Sequence, residues 1–191
     1  MSKSKKEKKA EQIYNHVLTQ IVYPKTGDKS TYLNDLNRVG RKLLGVKFKG
    51  VYPSDKIPKL HDLSPYCILN LDTSKESGSH WIALGKIPKT NDSIVYDSFG
   101  RNSKQIIPKL QYSGNGRIIN ADDDAEQKIL ETDCGARSLA FLVVLDKYGY
   151  DAAKLIQGGT SPTRCISDEV ATLLVFLESV MALIEWFCIF F

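Results

Sequence analysis

The sequence predicts an α+β domain, a small mixed central sheet packed between helices, from three features. Helical periodicity occupies both ends of the chain, short strand signals broken by Ser, Gly, Pro and Asn occupy the middle, and a nearly all-apolar run follows them. The 191 residues are 42% hydrophobic, 25% charged and 9% aromatic, a composition that excludes disorder, collagen and a disulfide miniprotein. A chain of this length buries about 70% of its unfolded surface, so its core needs neither metal nor disulfide.

Residues 1–12 read as a basic flexible arm. Lys3, Lys5, Lys6, Lys8 and Lys9 face only Glu7 and Glu11, and they carry most of the net charge of +4. Such a run is either a solvated tail or a contact for an acidic partner such as nucleic acid. Lysines rather than an apolar stretch follow Met1, so no signal peptide is read and the protein is expected inside a cell or virion, not secreted. Residues 13–30 read as an appended helix and linker, the apolar positions Ile13, Val17, Leu18 and Ile21 leading to Pro24.

Residues 31–191 read as one domain. Its first helix spans 31–44, with Leu33, Leu36, Val39, Leu43 and Leu44 in period and Gly45 as the stop. Between Arg38 and Lys59 the basic residues outnumber a single Asp55, which suits a solvated face or a phosphate contact. Strand signals fall at 66–71, 80–86, 93–97 and 117–120. Residues 135–148 are apolar nearly all round and predict a helix buried at the centre of the fold. Residues 170–187 predict a largely buried packing helix, and Glu178 and Glu185 argue against a membrane span there. The final Cys188-Ile189-Phe190-Phe191 fits a prenylation box in form, without the polybasic stretch that usually precedes one.

Four cysteines, at 67, 134, 165 and 188, show neither Cys-x-x-Cys nor zinc-ligand spacing, so no metal and no cofactor is expected. His80 opens one strand and Asp97 closes the next. A hairpin turning at Pro88 and Lys89 would set them side by side, the carboxylate fixing the imidazole tautomer. Alone, the pair reads equally well as a satisfied sheet-end histidine and a turn aspartate. Cys134 lies just before the buried helix, after the N-cap candidates Thr132 and Asp133, where the helix dipole and a nearby imidazolium favour a thiolate. Gly135 leaves room beside the sulfur, and the Cys134 amide is placed to face an oxyanion. Gln127, seven residues earlier in an acidic loop, is a neutral donor that could complete the oxyanion hole. Each residue alone has a bland structural reading; their joint pattern is what points to nucleophilic catalysis.

The segments Gly78-Ser79-His80-Trp81-Ile82-Ala83, Tyr96-Asp97-Ser98-Phe99-Gly100, and Gln127 with Asp133-Cys134-Gly135 resemble, in order and spacing, the motifs of the adenovirus-type maturation proteases. These are adenain and its relatives in virophages and Polinton-like elements, in the clan of the ubiquitin-like-protein proteases. The resemblance extends over roughly residues 31–187 and implies a papain-like cysteine protease core. It implies Cys134 as nucleophile, His80 as base, Asp97 as its orienter and Gln127 as oxyanion donor, with Trp81 and Gly135 contacting substrate. It further implies cleavage of viral capsid or core precursors after Gly-Gly-type sites at the site of virus assembly, with DNA, which activates the adenovirus enzyme, as a candidate activator; a monomer without a membrane partner is expected. Asp97 stands where adenain has a glutamate, as in the ubiquitin-like-protein proteases, while the Gln127 to Cys134 spacing favours the adenain side. Two rival readings follow: a protease of ubiquitin-like proteins, and a non-catalytic nucleic-acid-binding capsid protein. Ile156-Gln157-Gly158-Gly159 itself fits the implied cleavage pattern, though two glycines ending a helix account for it equally.

Overall fold

Five short strands, the central ones buried on both faces, organise the fold. The computed structural model describes residues 4–26, 32–58, 65–76, 79–101, 116–120 and 132–156. The helix predicted at 170–187, Gln127, Cys165, Cys188 and the Gly158-Gly159 pair lie outside the described residues.

Strands β1 (Phe48–Tyr52), β2 (Tyr66–Asn70), β3 (Trp81–Lys86), β4 (Ser93–Tyr96) and β5 (Ile118–Asn120) form one mixed sheet in sequential order. The central strands pair antiparallel, and the outer pairs β1–β2 and β4–β5 are parallel. Ile68, Ala83, Ile94 and Tyr96 enter one apolar cluster, and Cys67, Leu69, Ile82, Leu84 and Val95 form another. Both faces of the central strands are therefore buried, which is why β2 reads as a continuous apolar run rather than an alternating one.

The larger cluster is built by helices. Helix α1 (Lys5–His16) passes through a π-helical stretch, Val17–Val22, into the short α2 (Tyr23–Thr26). Helix α3 (Leu33–Leu44) precedes β1, and α4 (Cys134–Leu155) packs across β3. Helix α4 matches the predicted buried run: Leu139 to Leu145 are essentially inaccessible, and the helical path breaks at Gly149, with φ 84°. Close approach of α4 to the sheet depends on Gly85, where a Cβ would fall 2.3 Å from Leu145 Cδ2. Gly40 likewise leaves room in α3 for the Phe48 ring. No helix of the described residues is long and apolar enough to cross a membrane.

The N-terminal segment departs from the expected flexible arm, because helix begins at Lys5. Ser4 and Glu7 form a reciprocal capping box, at 3.2 and 2.6 Å, and Ala10 and Tyr14 are buried from the first turns onward. The helix also continues past the expected stop at Pro24. The wider π turn before it, with the Tyr23 amide bonding the Leu18 carbonyl, accommodates a residue that has no N–H to donate. Val17 and Val22 are fully buried in the same cluster as α4, so this segment is part of the core rather than an appendage.

Candidate active site

His80 stands immediately before β3. Its backbone carbonyl accepts from the Leu71 amide, and the preceding Ser79 hydroxyl donates to Asp72 at 2.8 Å, which anchors the approach to the strand. Asp97 follows β4 directly and begins a tight turn closed by the Gly100 amide on the Asp97 carbonyl. The hairpin register sets Ala83 opposite Tyr96 and Lys86 opposite Ser93, two residues away from the predicted pairing of His80 with Asp97. The turn is tightened around Lys89, which adopts a left-handed φ of 61°. A slip of two residues preserves the face, and diagonal neighbours are within reach of each other. His80 Nε2 and Asp97 Oδ1 accordingly meet at 2.6 Å, with both side chains almost wholly buried.

The carboxylate is held from every side. Oδ1 also accepts from the Phe99 amide at 2.9 Å, and Oδ2 accepts from Arg101 Nε at 2.8 Å. The Phe99 ring lies against the imidazole, with centroids 4.7 Å apart, and the Arg101 guanidinium sits 5.3 Å from the Phe99 centroid. Burial pushes the Asp97 carboxyl up, but the bond and charge of His80, with the Phe99 and Arg101 bonds, outweigh it and keep Asp97 below the ordinary carboxylate range.

The second ring nitrogen completes the picture. His80 Nδ1 is buried and has no hydrogen-bond partner among the described residues. An orphaned buried nitrogen is costly in a merely structural histidine, and it is what a base awaiting a proton requires.

Cys134 is the first residue of α4 and is 6% exposed. The backbone N–H groups of Trp81, Gly135 and Cys134 itself lie against its sulfur. Trp81 directly follows His80, so the sulfur lies against the backbone of the residue next to the histidine. The register is reinforced by the Ser138 hydroxyl, which donates to the Trp81 carbonyl at 3.1 Å. The resting thiol differs from the expectation of a lowered pKa: burial raises it, and the amide bonds offset this only in part. Asp133 occupies the helix cap but makes no side-chain cap bond. Its carboxylate binds Arg137 Nε and the Tyr23 hydroxyl instead.

Of the six residues singled out by sequence, His80 and Asp97 are in contact, the Cys134 sulfur meets the backbone of Trp81 and Gly135, and Gln127 lies outside the described residues. Trp81 meets the site through its backbone, while its ring is buried in the main core cluster. Arg101, Phe99, Tyr23 and Arg137 were not read from sequence. The four-residue spacings of Asp97 with Arg101 and of Asp133 with Arg137 were the available signal. The other described free cysteine, Cys67, is fully buried, and burial pushes its thiol far up, as for an inert core residue. No group of three or more His, Cys, Asp or Glu side chains among the described residues is arranged to hold a metal ion.

No protein-family model matches the chain, and no curated protein matches it at a significant level. What fold and site define is a mixed α+β protein with a five-stranded sheet, a buried histidine–aspartate pair at the ends of two strands, and a buried cysteine at a helix N-terminus that meets the backbone of one of those strands.

Proposed function

We propose that this protein is a cysteine endopeptidase with an adenain-like, papain-type core that cleaves viral capsid or core precursors during virion maturation, after Gly-Gly-type sites. The observation that carries the reading is the buried His80, with Nε2 bound to Asp97 and Nδ1 without a partner among the described residues, directly before Trp81, whose backbone N–H lies against the Cys134 sulfur. Substrate class and virion setting rest on the motif resemblance.

In the proposed reaction the Cys134 sulfur attacks the scissile carbonyl as its proton passes to His80 Nδ1. Because burial raises the thiol, proton transfer accompanies attack rather than preceding it. Asp97 stabilises the imidazolium that forms, and the Cys134 amide, with Gln127, receives the developing oxyanion. His80 returns the proton to the departing amine as the C–N bond breaks, and water then hydrolyses the thioester. The exposed Lys5, Lys6, Lys8 and Lys9 of α1 offer DNA a contact that would weaken steeply with salt.

The test is hydrolysis of peptides spanning Gly-Gly by the full chain. Cleavage that Cys134→Ala and His80→Ala both abolish supports the reading; cleavage that survives Cys134→Ala refutes it. Asp97 in the acid position favours a second reading, a protease of ubiquitin-like proteins. Preference for a folded ubiquitin-like fusion over a short peptide would select it.

A further inference from the structure

Two tyrosines of the N-terminal segment reach the residues that flank the site. Tyr14 Oη lies 2.8 Å from the hydroxyl of Tyr96, the residue before Asp97. Tyr23 donates its hydroxyl to Asp133 Oδ2, on the residue before Cys134. Asp133 is 5% exposed, and Arg137 Nε meets both of its oxygens, at 2.9 and 3.0 Å. Buried Asp133, with the partly buried Tyr23 and Arg137, thus joins the N-terminal segment to the start of α4.

We infer that Tyr23 is a positioning residue for Cys134, holding Asp133 against Arg137 so that the reactivity of the cysteine depends on the docking of the N-terminal helical segment. The inference rests on Cys134 being the reactive nucleophile. The charged and titratable groups of the elements that meet Cys134 are Asp133, held by Arg137 of α4 and Tyr23 of the N-terminal segment, and His80, which precedes the Trp81 backbone lying against the sulfur and is bound to Asp97, itself held by Arg101. Among these, the Asp133 charge opposes thiolate formation, adding to the larger effect of burial. A guanidinium and a hydroxyl share that charge while Tyr23 is in place. Withdrawing the hydroxyl leaves more of the charge to act on the neighbouring sulfur. Val17 and Val22 are fully buried, so deleting the segment would remove core, and single-atom variants are the informative ones.

The experiment measures alkylation of Cys134 by iodoacetamide against pH in the full chain, with the site assigned by peptide mass. Tyr23→Phe should move the profile to higher pH and slow the reaction at pH 7 by about threefold to tenfold. Asp133→Asn should move it to lower pH, and Tyr23→Phe should then have no further effect. Loosened structure cannot produce opposite signs. If Tyr23→Phe does not fold, Arg137→Gln carries the same expected upward displacement. Superimposable profiles, or displacement of Tyr23→Phe and Asp133→Asn in the same direction, overturn the inference. Peptide hydrolysis is read separately: a displaced profile in a chain that cleaves nothing keeps the inference and discards the protease, and an active protease with an undisplaced profile does the reverse.

Discussion

Replacing Asp97 by Asn removes one charge from the site with little change of shape. An Asn oxygen can still accept from the Phe99 amide, as the carboxylate does at 2.9 Å. What disappears is the charge that, in the proposed reaction, stabilises imidazolium while Cys134 attacks. With Nε2 and Oδ1 2.6 Å apart and both groups buried, the charge centres are about 4 Å apart, and an effective dielectric of about 20 gives about 4 kcal/mol. Arg101, 2.8 Å from the other oxygen, already takes up part of that field, so about 2 kcal/mol is a fair lower figure. At about 1.4 kcal/mol per factor of ten, kcat/KM for a Gly-Gly peptide should fall by about 30-fold to 1,000-fold. The assay is initial-rate hydrolysis at neutral pH, with thermal melting to establish that the variant is folded. A folded Asp97→Asn protein within about threefold of wild type, under conditions where Cys134→Ala is inactive, would refute the role given to the pair.

Arg101→Met should cost less than Asp97→Asn, about threefold to tenfold in kcat/KM, because one half-exposed charged bond is lost while the His80 contact stays. Equal losses in the two variants would show that Arg101 does more than hold the carboxylate. Asp97 also ties stability to pH: its carboxyl lies below the ordinary range when folded, so its stabilisation is complete above the unfolded value near about pH 4 and is lost as pH falls through the lower folded value. The difference in melting temperature between wild type and Asp97→Asn should therefore narrow from pH 7 to pH 3, and a difference that widened would contradict this. Gly85→Ala should destabilise by about 1 to 3 kcal/mol in denaturant unfolding, since the new Cβ meets the fully buried Leu145 at 2.3 Å. A neutral result would mean that α4 rests less tightly on the sheet.

Much of the fold is legible where local pattern decides it. The four strands marked by sequence fall within one or two residues of β2, β3, β4 and β5, and the buried helix is found where its apolar run lies. The start of α1 was missed because five lysines outweighed a four-residue capping signal, and because the burial of Tyr14 depends on Tyr96, 82 residues away. The hairpin register was displaced by two residues, since turn composition locates a reversal without fixing its length. His80 and Asp97 still met because a shift of two keeps side chains on one face. The proposed reactive constellation is legible as residue types at fixed spacings. Its supports are not: Arg101, Phe99 and Tyr23 act through contacts that only the folded chain brings together. The thiol direction went the other way for the same reason. The helix N-terminus is visible in sequence, whereas the burial that outweighs it is a property of the packed site.

The most direct test of the central claim is intact mass spectrometry of the full chain after exposure to an electrophilic peptide ending in Gly-Gly, comparing wild type with His80→Ala and Cys134→Ala. A single adduct on Cys134 that forms in wild type and is lost in both variants is the predicted result. An adduct that forms equally well without His80, or on another cysteine, would contradict an activated Cys134.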